Sequence, residues 1–210
     1  MFLNDSRREY KKYEFDQGMA QTNPFDQFSN WFEFAKKNAV FEANAMHVAT
    51  VDSENKPKNR VVLLKSFDSS GFIFFSNYNS QKGIEISQND NVALTFFWPN
   101  IERQVRIEGK IKKTSKDISD QYFQTRPRDS QLSAWASNQS QEIESRDALE
   151  SQLAYYQSKF QDDVPRPDHW GGYIVSPSYF EFWQGRANRY HDRIIYTADN
   201  ASWQMKRLCP

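Results

Sequence analysis

Five runs decide the fold: A-M-H-V-A-T-V (45–51), R-V-V-L-L-K-S-F (60–67), F-I-F-F-S (72–76), V-A-L-T-F-F-W (92–98) and Q-V-R-I-E-G-K-I-K (104–112). Each is short, rich in β-branched and aromatic residues, and bounded by turn formers such as D-S-E-N (52–55) and D-S-S-G (68–71), the pattern of β-strands joined by tight connections. Strands at this regular spacing predict an antiparallel barrel. Toward the C-terminus the pattern resumes at Tyr173–Val175, Tyr179–Trp183, Arg189–Tyr196 and Trp203–Leu208.

Helical periodicity interrupts the strands. Phe25, Phe28, Trp31, Phe32 and Ala35 recur at three- and four-residue steps after Pro24, which predicts a core-facing helix ending near Asn38. Further helices are expected over Ser80–Gln88, Lys116–Arg126, Ser130–Ala136 and Arg146–Phe160, the last with Leu149, Leu153, Tyr156 and Phe160 on one stripe. The expected class is mainly β with α, that is α+β. Residues 1–22 read as a polar arm, ordered only where something packs on it, and 23–210 as one domain.

Composition narrows the function. Lys and Arg number 27 and Asp and Glu 27, so the global charge points neither to nucleic acid nor to an anionic membrane. Aromatic residues make up 16% of the chain, which suits a β-rich core or pockets for flat ligands. The lone cysteine, Cys209, supports no internal disulfide or Cys-based metal cage and suits a reducing compartment, so the expected location is the cytoplasm. Three scattered histidines predict no metal site, and His47 and His169 are expected to be structural. Neither G-x-G-x-x-G nor G-x-x-x-x-G-K-[ST] occurs, so phosphates, if bound, must be held by side chains and helix ends.

Three polar groupings stand against this pattern. Arg60, Ser76 and Lys82, with Ser80 opening a helix, can form one phosphate site; equally, Ser80 is a plain N-cap with Lys82 in solvent. Tyr122 and Arg126, four apart on a helix that Pro127 stops, can form a second with Ser130 and Lys65. Arg60 and Lys65, five apart in one strand, are expected on opposite faces. In E-F-W-Q-G-R-A-N-R-Y-H-D-R (181–193), a hairpin whose return run is extended from Arg189 would project Arg189, His191 and Arg193 together toward an anionic ligand, or form a solvated edge balanced by Glu181 and Asp192. Gln104 and Gln139-Ser140 are neutral donor-acceptor residues of the kind that read a heterocycle's edge.

Taken in order, R-R-E-Y (7–10), R-V-V-L-L-K (60–65), N-x-x-S-x-K (77–82), E-R-Q-V (102–105), Y-F-x-x-R-P-R-D-S-Q (122–131), Q-S (139–140) and E-F-W-Q-G-x-x-x-R-x-H-D-R (181–193) resemble the pyridoxamine/pyridoxine 5′-phosphate oxidase family over nearly the whole chain. The resemblance implies a split β-barrel homodimer with FMN at the subunit interface. It implies oxidation of pyridoxamine 5′-phosphate or pyridoxine 5′-phosphate to pyridoxal 5′-phosphate, with O2 reduced to H2O2. By matching position it places FMN on Arg60, Val61, Val62, Leu63, Leu64, Lys65, Phe75, Ser76, Gln81, Lys82, Gln104, Gln139, Ser140, Trp183 and Arg193. The substrate phosphate falls to Lys65, Tyr122, Arg126 and Ser130. Arg189 and His191, flanking Tyr190, are the implied catalytic residues over the substrate ring, and Arg7, Arg8, Glu9 and Tyr10 close on it. The chain departs from the family pattern at Gln81, where a basic residue is usual, at Tyr190 for a usual Leu, and at Ser133 for a usual Gly. The first departure implies weaker cofactor affinity.

Overall fold

The computed structural model describes residues 9–200 and 202–210. In chain order these form α1 (Pro24–Lys37), β1 (Ala45–Val51), β2 (Pro57–Leu63), β3 (Ser66–Asp68), β4 (Gly71–Asn77), α2 (Gln81–Gln88), β5 (Asn91–Trp98), β6 (Arg103–Lys113), α3 (Lys116–Gln124), α4 (Arg128–Ala136), α5 (Arg146–Lys159), β7 (Trp170–Gln184), β8 (Asp192–Asp199) and β9 (Ser202–Leu208). All strands pair antiparallel in the order β2-β1-β5-β6-β7-β4-β3, with β8 and β9 continuing from β7. The sheet curls until β2 meets β4, giving the antiparallel barrel expected from the strand spacing, in the α+β split form that the family resemblance implies.

The barrel is filled by the aromatic residues of the strand pattern. Phe28, Phe72, Phe74, Phe96, Phe180 and Phe182 are fully buried, and Phe28 of α1 meets Phe67, Phe72 and Phe96 at ring-centroid distances of 4.8–5.0 Å. A second, smaller core of Phe123, Leu132, Val164 and Trp170 lies under α3 and α4. Leu153, Tyr156 and Phe160 of the expected stripe pack on it half-buried, and no residue of α5 is buried. Among the described residues no helix is long and apolar enough to cross a membrane.

Three strand expectations need correction. The run 60–67 is not one strand: the chain exchanges partners at its middle, where Leu64 donates its N–H to Asn44 and Lys65 to Ile73, passing from β1 to β4. The segments 173–175 and 179–183 are one strand, β7, running through Pro177. That proline is tolerated because β7 pairs β4 up to Val175 and β8 only from Tyr179, so the N–H it lacks faces no neighbour on that edge. Opposite, Gly109 pairs Pro177 at a register shift; a Cβ there would lie 2.2 Å from the Ser176 carbonyl. The third correction concerns the return run of the hairpin. Residues 187–189 form a 3-10 turn with Asn188 at φ 56° and Arg189 at φ 62°, and β8 starts only at Asp192. Two successive left-handed residues break the period of two, so alternation does not set the direction of Arg189.

The described part of the arm, 9–22, is docked. Phe15 is buried against Trp31 and Phe182, and Gln21 accepts a hydrogen bond from the Tyr196 hydroxyl at 2.6 Å. Arg103 lies over Trp31 (4.4 Å), Phe34 (4.6 Å) and Tyr13 of the arm (5.5 Å). It donates through Nε to Gln184 at 2.8 Å, and burial pushes its pKa down to about 10. Arg7 and Arg8 lie outside the described residues.

Ser80 is fully buried as the N-cap of α2: it accepts from Gly83 N–H and donates to the Asn77 carbonyl at 2.7 Å. Ser80→Ala is expected to lower stability by about 1 kcal/mol, the usual cost of a lost N-cap, read as a lower urea midpoint at unchanged slope.

Candidate active site

One cavity of about 1000 Å³ opens between β2, β4, the start of α2, the α3–α4 corner and the 139–140 loop. It is lined by Arg60, Val61, Val62, Leu63, Lys65, Phe75, Ser76, Gln81, Lys82, Tyr122, Arg126, Ser130, Gln139 and Ser140, all expected from the sequence, and also by Lys58, Asn59, Thr125, Pro127 and Trp170. Leu64 is buried behind it in the core. Arg60 and Lys65 therefore share a cavity instead of serving opposite faces. The break in the strand between them resets the alternation.

At one cluster Lys82, 8% exposed, donates through Nζ to Ser76 Oγ (3.1 Å) and Ser80 Oγ (3.3 Å). It has hydroxyl partners but no ion pair among the described residues, and burial, then Arg60, lowers its pKa. Arg60 is held by Glu85 at 2.8 Å, by Thr50 Oγ1 and by the Val48 carbonyl at 3.2 Å. A buried ammonium without an ion pair among the described residues, beside a guanidinium and a helix N-terminus, is stabilised by an anion.

The second cluster rests on an aromatic stack. Phe75 and Tyr122 lie face to face at 3.8 Å and 13°, with Trp170 5.6 Å from Phe75. Arg126 lies over Trp170 at 4.4 Å and Lys65 over Tyr122 at 6.0 Å. Arg126 Nη1 is buried without a hydrogen-bond partner among the described residues, and burial lowers the pKa of the guanidinium. Ser130 stands half-buried in the first turn of α4, two residues inside its start. A buried guanidinium N–H is costly unless an acceptor meets it, so this one suits an anionic ligand. Two cationic clusters separated by apolar and aromatic lining fit a flat phosphorylated cofactor beside a phosphorylated substrate. At the first of them Gln81 lines the cavity as an exposed neutral side chain.

The remaining expected residues do not line this cavity. Gln104, Trp183 and Arg193 form a row across β6, β7 and β8 on the sheet's outer face, where Val61 and Phe97 are also exposed. Arg193 donates to Glu181 (2.8 Å) and to the Cys209 carbonyl (2.9 Å), so the balance by Glu181 left open in the sequence is present. His191 packs 4.6 Å from Trp183, and Tyr10 stands edge-on to both. Arg189 and Tyr190 are exposed at the loop tip, and Glu9 is exposed beside Lys11. His169 bonds the Ala134 carbonyl at 3.0 Å, a structural role; His47 is exposed on β1. Sequence reasoning missed Trp170 and Glu85. Trp170 lies far from Arg126 along the chain and carries no local signal, whereas Glu85, three residues after Lys82 on α2, could have been paired with a cation of the first cluster.

His191 Nδ1 accepts the Arg186 backbone N–H at 3.1 Å, so the neutral ring carries its proton on Nε2. Protonation would place an N–H against an N–H. Burial, then Arg189, lowers the pKa from its usual 6.5, and Asp192 opposes them. His191 is therefore expected to titrate below about 6.5 and to be neutral at pH 7. An NMR titration of the Cε1 proton, assigned with a His191→Gln spectrum, would refute this by showing a midpoint above that value.

Residues 34–160 match the model for pyridoxamine 5′-phosphate oxidase, and residues 170–210 the model for the pyridoxine 5′-phosphate oxidase C-terminal dimerisation region. The chain is 48% identical to the pyridoxine/pyridoxamine 5′-phosphate oxidase of Cytophaga hutchinsonii, over 99% of this chain and 98% of that one. It is 49% identical to that of Trichormus variabilis, with the same coverage. Its structure is similar to PhzG of Burkholderia lata, solved with tetrahydrophenazine-1-carboxylic acid, at a TM-score of 0.90 and 26% identity over 95% and 99% of the two chains. It also shares the fold of an FMN-binding, pyridoxamine 5′-phosphate oxidase-related protein of Nostoc punctiforme, at a TM-score of 0.72 and 18% identity over 90% and 100%. With two family models covering most of its length and full-length relatives near half-identical, the chain belongs to the pyridoxamine 5′-phosphate oxidase family.

Proposed function

We propose that the protein is an FMN-dependent homodimeric oxidase converting pyridoxamine 5′-phosphate or pyridoxine 5′-phosphate to pyridoxal 5′-phosphate. The observation that carries this reading is the pair of cationic clusters in one aromatic-walled cavity, Lys82 held by hydroxyls without an ion pair among the described residues and Arg126 with a buried, unpartnered Nη1. Bound FMN supplies the two-electron acceptor and, through O2, the hydrogen peroxide. The alcohol loses two electrons and two protons to become the aldehyde; the amine does the same with one water consumed and ammonia released.

Arg60, Ser76, Lys82, Gln139 and Ser140 hold the cofactor phosphate, with Gln81 as a neutral neighbour, and the 61–65 segment and Phe75 line the cofactor's side of the cavity. Lys65, Tyr122, Arg126 and Ser130 hold the substrate phosphate. This fixes one end of the substrate and leaves C4′ to be oriented, the main requirement of a hydride-equivalent transfer. Gln104, Trp183, Arg189, Tyr190, His191 and Arg193 complete the site from a second copy. The exposed outer face bearing Val61 and Phe97 (57% and 50% exposed) and the match to a dimerisation region support that assembly. Arg189 covers the substrate ring, and neutral His191 donates from Nε2 to its polar edge. The arm from Arg7 to Tyr10 excludes water.

The test is oxygen-dependent formation of pyridoxal 5′-phosphate and peroxide by the FMN-reconstituted protein with each of the two substrates. The likeness to PhzG supports a second substrate class, because a cation cluster that takes a phosphate also takes a carboxylate. A tetrahydrophenazine carboxylic acid is therefore the third substrate in the assay. Turnover of that compound alone, with neither vitamer oxidised, would replace the reading.

A further inference from the structure

The carboxylate of Asp192, with its side chain 14% exposed, stands where three segments meet. Its Oδ2 accepts the backbone N–H of Phe15 in the arm at 3.1 Å and Arg186 Nη1 at 3.1 Å. Its Oδ1 accepts Arg207 Nη1 from β9 at 2.9 Å. Arg186 extends the network in two directions, through Nη2 to Glu14 of the arm at 3.2 Å and through its backbone N–H to His191 Nδ1. The base of the 185–192 loop is thus closed on one carboxylate, and the same carboxylate binds the arm.

At its start the loop is anchored by Gly185 N–H to the Glu102 carbonyl at 2.7 Å, and beyond Gly185 few bonds among the described residues define its shape. Between Arg186 and Asp192 the other backbone bond is Tyr190 N–H to the Ala187 carbonyl, and Asn188 and Arg189 are left-handed. The arm in turn lays Tyr10 on Gly185, where a Cβ would stand 2.7 Å from the Tyr10 ring, and edge-on to His191 and Trp183. The groups facing His191 are Tyr10 from the arm, Arg186 and Arg189 from the loop, Trp183 from β7, and Asp192 beside it.

We propose that Asp192 is a positioning residue that docks the N-terminal arm and the loop carrying Arg189 and His191 onto each other, so that the two close over the substrate as one unit; this rests on the reaction proposed above. One carboxylate satisfies a backbone N–H and two guanidiniums. An amide in its place turns an NH2 toward at least one of those donors and loses the charge that holds both arginines.

The test compares Asp192→Asn and Arg186→Met with wild type as FMN-loaded enzymes. Readouts are trypsin cleavage after Lys11 and Lys12 (followed by mass), flavin fluorescence for FMN binding, and kcat and KM for pyridoxamine 5′-phosphate. Cleavage of the arm is expected to accelerate about tenfold in Asp192→Asn and FMN affinity to change less than about twofold, while kcat falls on the order of tenfold to a hundredfold, the usual consequence of misplacing reacting groups by about 1 Å. Arg186→Met, altering a partly exposed side chain, is expected to act in the same direction and serves as the test should Asp192→Asn fail to fold. Unchanged cleavage and unchanged kcat overturn the proposal. So does a fall in kcat with the arm still protected, because arm and loop would then not be coupled. A wild type without vitamer oxidase turnover would remove the reaction, yet the cleavage rates would still decide whether the tether exists.

Discussion

Arg189→Met is expected to lower kcat by about two to three orders of magnitude, the scale of losing one preorganised charge at a reacting centre, and to leave FMN bound. Arg189 is exposed at the loop tip and makes no hydrogen bond or ion pair among the described residues. Its charge therefore serves no partner among the described residues of the protomer. It is also held at φ 62°, a conformation that β-unbranched residues tolerate only at a cost and that persists where the surroundings impose it. Methionine keeps the length of the stem and removes the cation. Because the substitution leaves Arg60, Ser76 and Lys82, the residues proposed to hold the cofactor phosphate, in place, flavin fluorescence quenching should be unaltered. Single-turnover reduction of the bound flavin by pyridoxamine 5′-phosphate under nitrogen isolates the chemical step. A normal rate in that experiment would remove Arg189 from the reaction.

Arg126→Ala is expected to act differently, raising KM for either vitamer roughly tenfold to a hundredfold with kcat little changed, on the scale of a charge-assisted hydrogen bond worth about 1.5–3 kcal/mol. The guanidinium is already in place before any ligand arrives, stacked on Trp170 and carrying an unsatisfied Nη1. The site is preorganised for an anion, and most of what the substitution removes is binding shared by ground and transition states. Competitive inhibition by inorganic phosphate should weaken in parallel. If KM and phosphate inhibition both stayed at wild-type values, the substrate phosphate would have to lie elsewhere, and the cluster of Lys65, Tyr122, Arg126 and Ser130 would lose its assignment.

The two substitutions separate the halves of the proposed site. Arg126 lines the cavity within the protomer, whereas Arg189 stands on the hairpin loop outside it. Opposite kinetic signatures would match a substrate anchored at one end by one subunit and covered by a loop of the other.

Much of this was legible in the chain. The spacing of short aromatic runs, the helix after Pro24 and the four-residue step from Tyr122 to Arg126 are local patterns, and local patterns survive the passage to structure because they are set by backbone period and turn chemistry. The phosphate-binding residue types were legible for the same reason: Ser80 and Lys82 open a helix, and Pro127 ends another. The ordered motifs shared with the oxidase family implied the remaining candidate residues, which periodicity alone left among solvated alternatives.

What the tertiary structure decided lies where the chain changes partners or leaves regular geometry. Arg60 and Lys65 share a cavity because β2 ends between them and the backbone passes to β4; a period-two argument holds only within an unbroken strand. Segments 173–175 and 179–183 are one strand because Pro177 falls where neither neighbour requires its N–H, and no local property of the proline shows which edge is free. Arg189 is directed by two left-handed residues, Trp170 supports Arg126 from a distant segment, and Asp192 joins the arm to the loop across most of the chain. The sequence by itself determined which cationic and hydroxyl groups are candidates for an anion and, apart from the three corrected strands, which runs form the barrel. Which of those groups meet, and which are held by buried partners such as Glu85 and Glu181, follows from strand exchange and packing between distant segments.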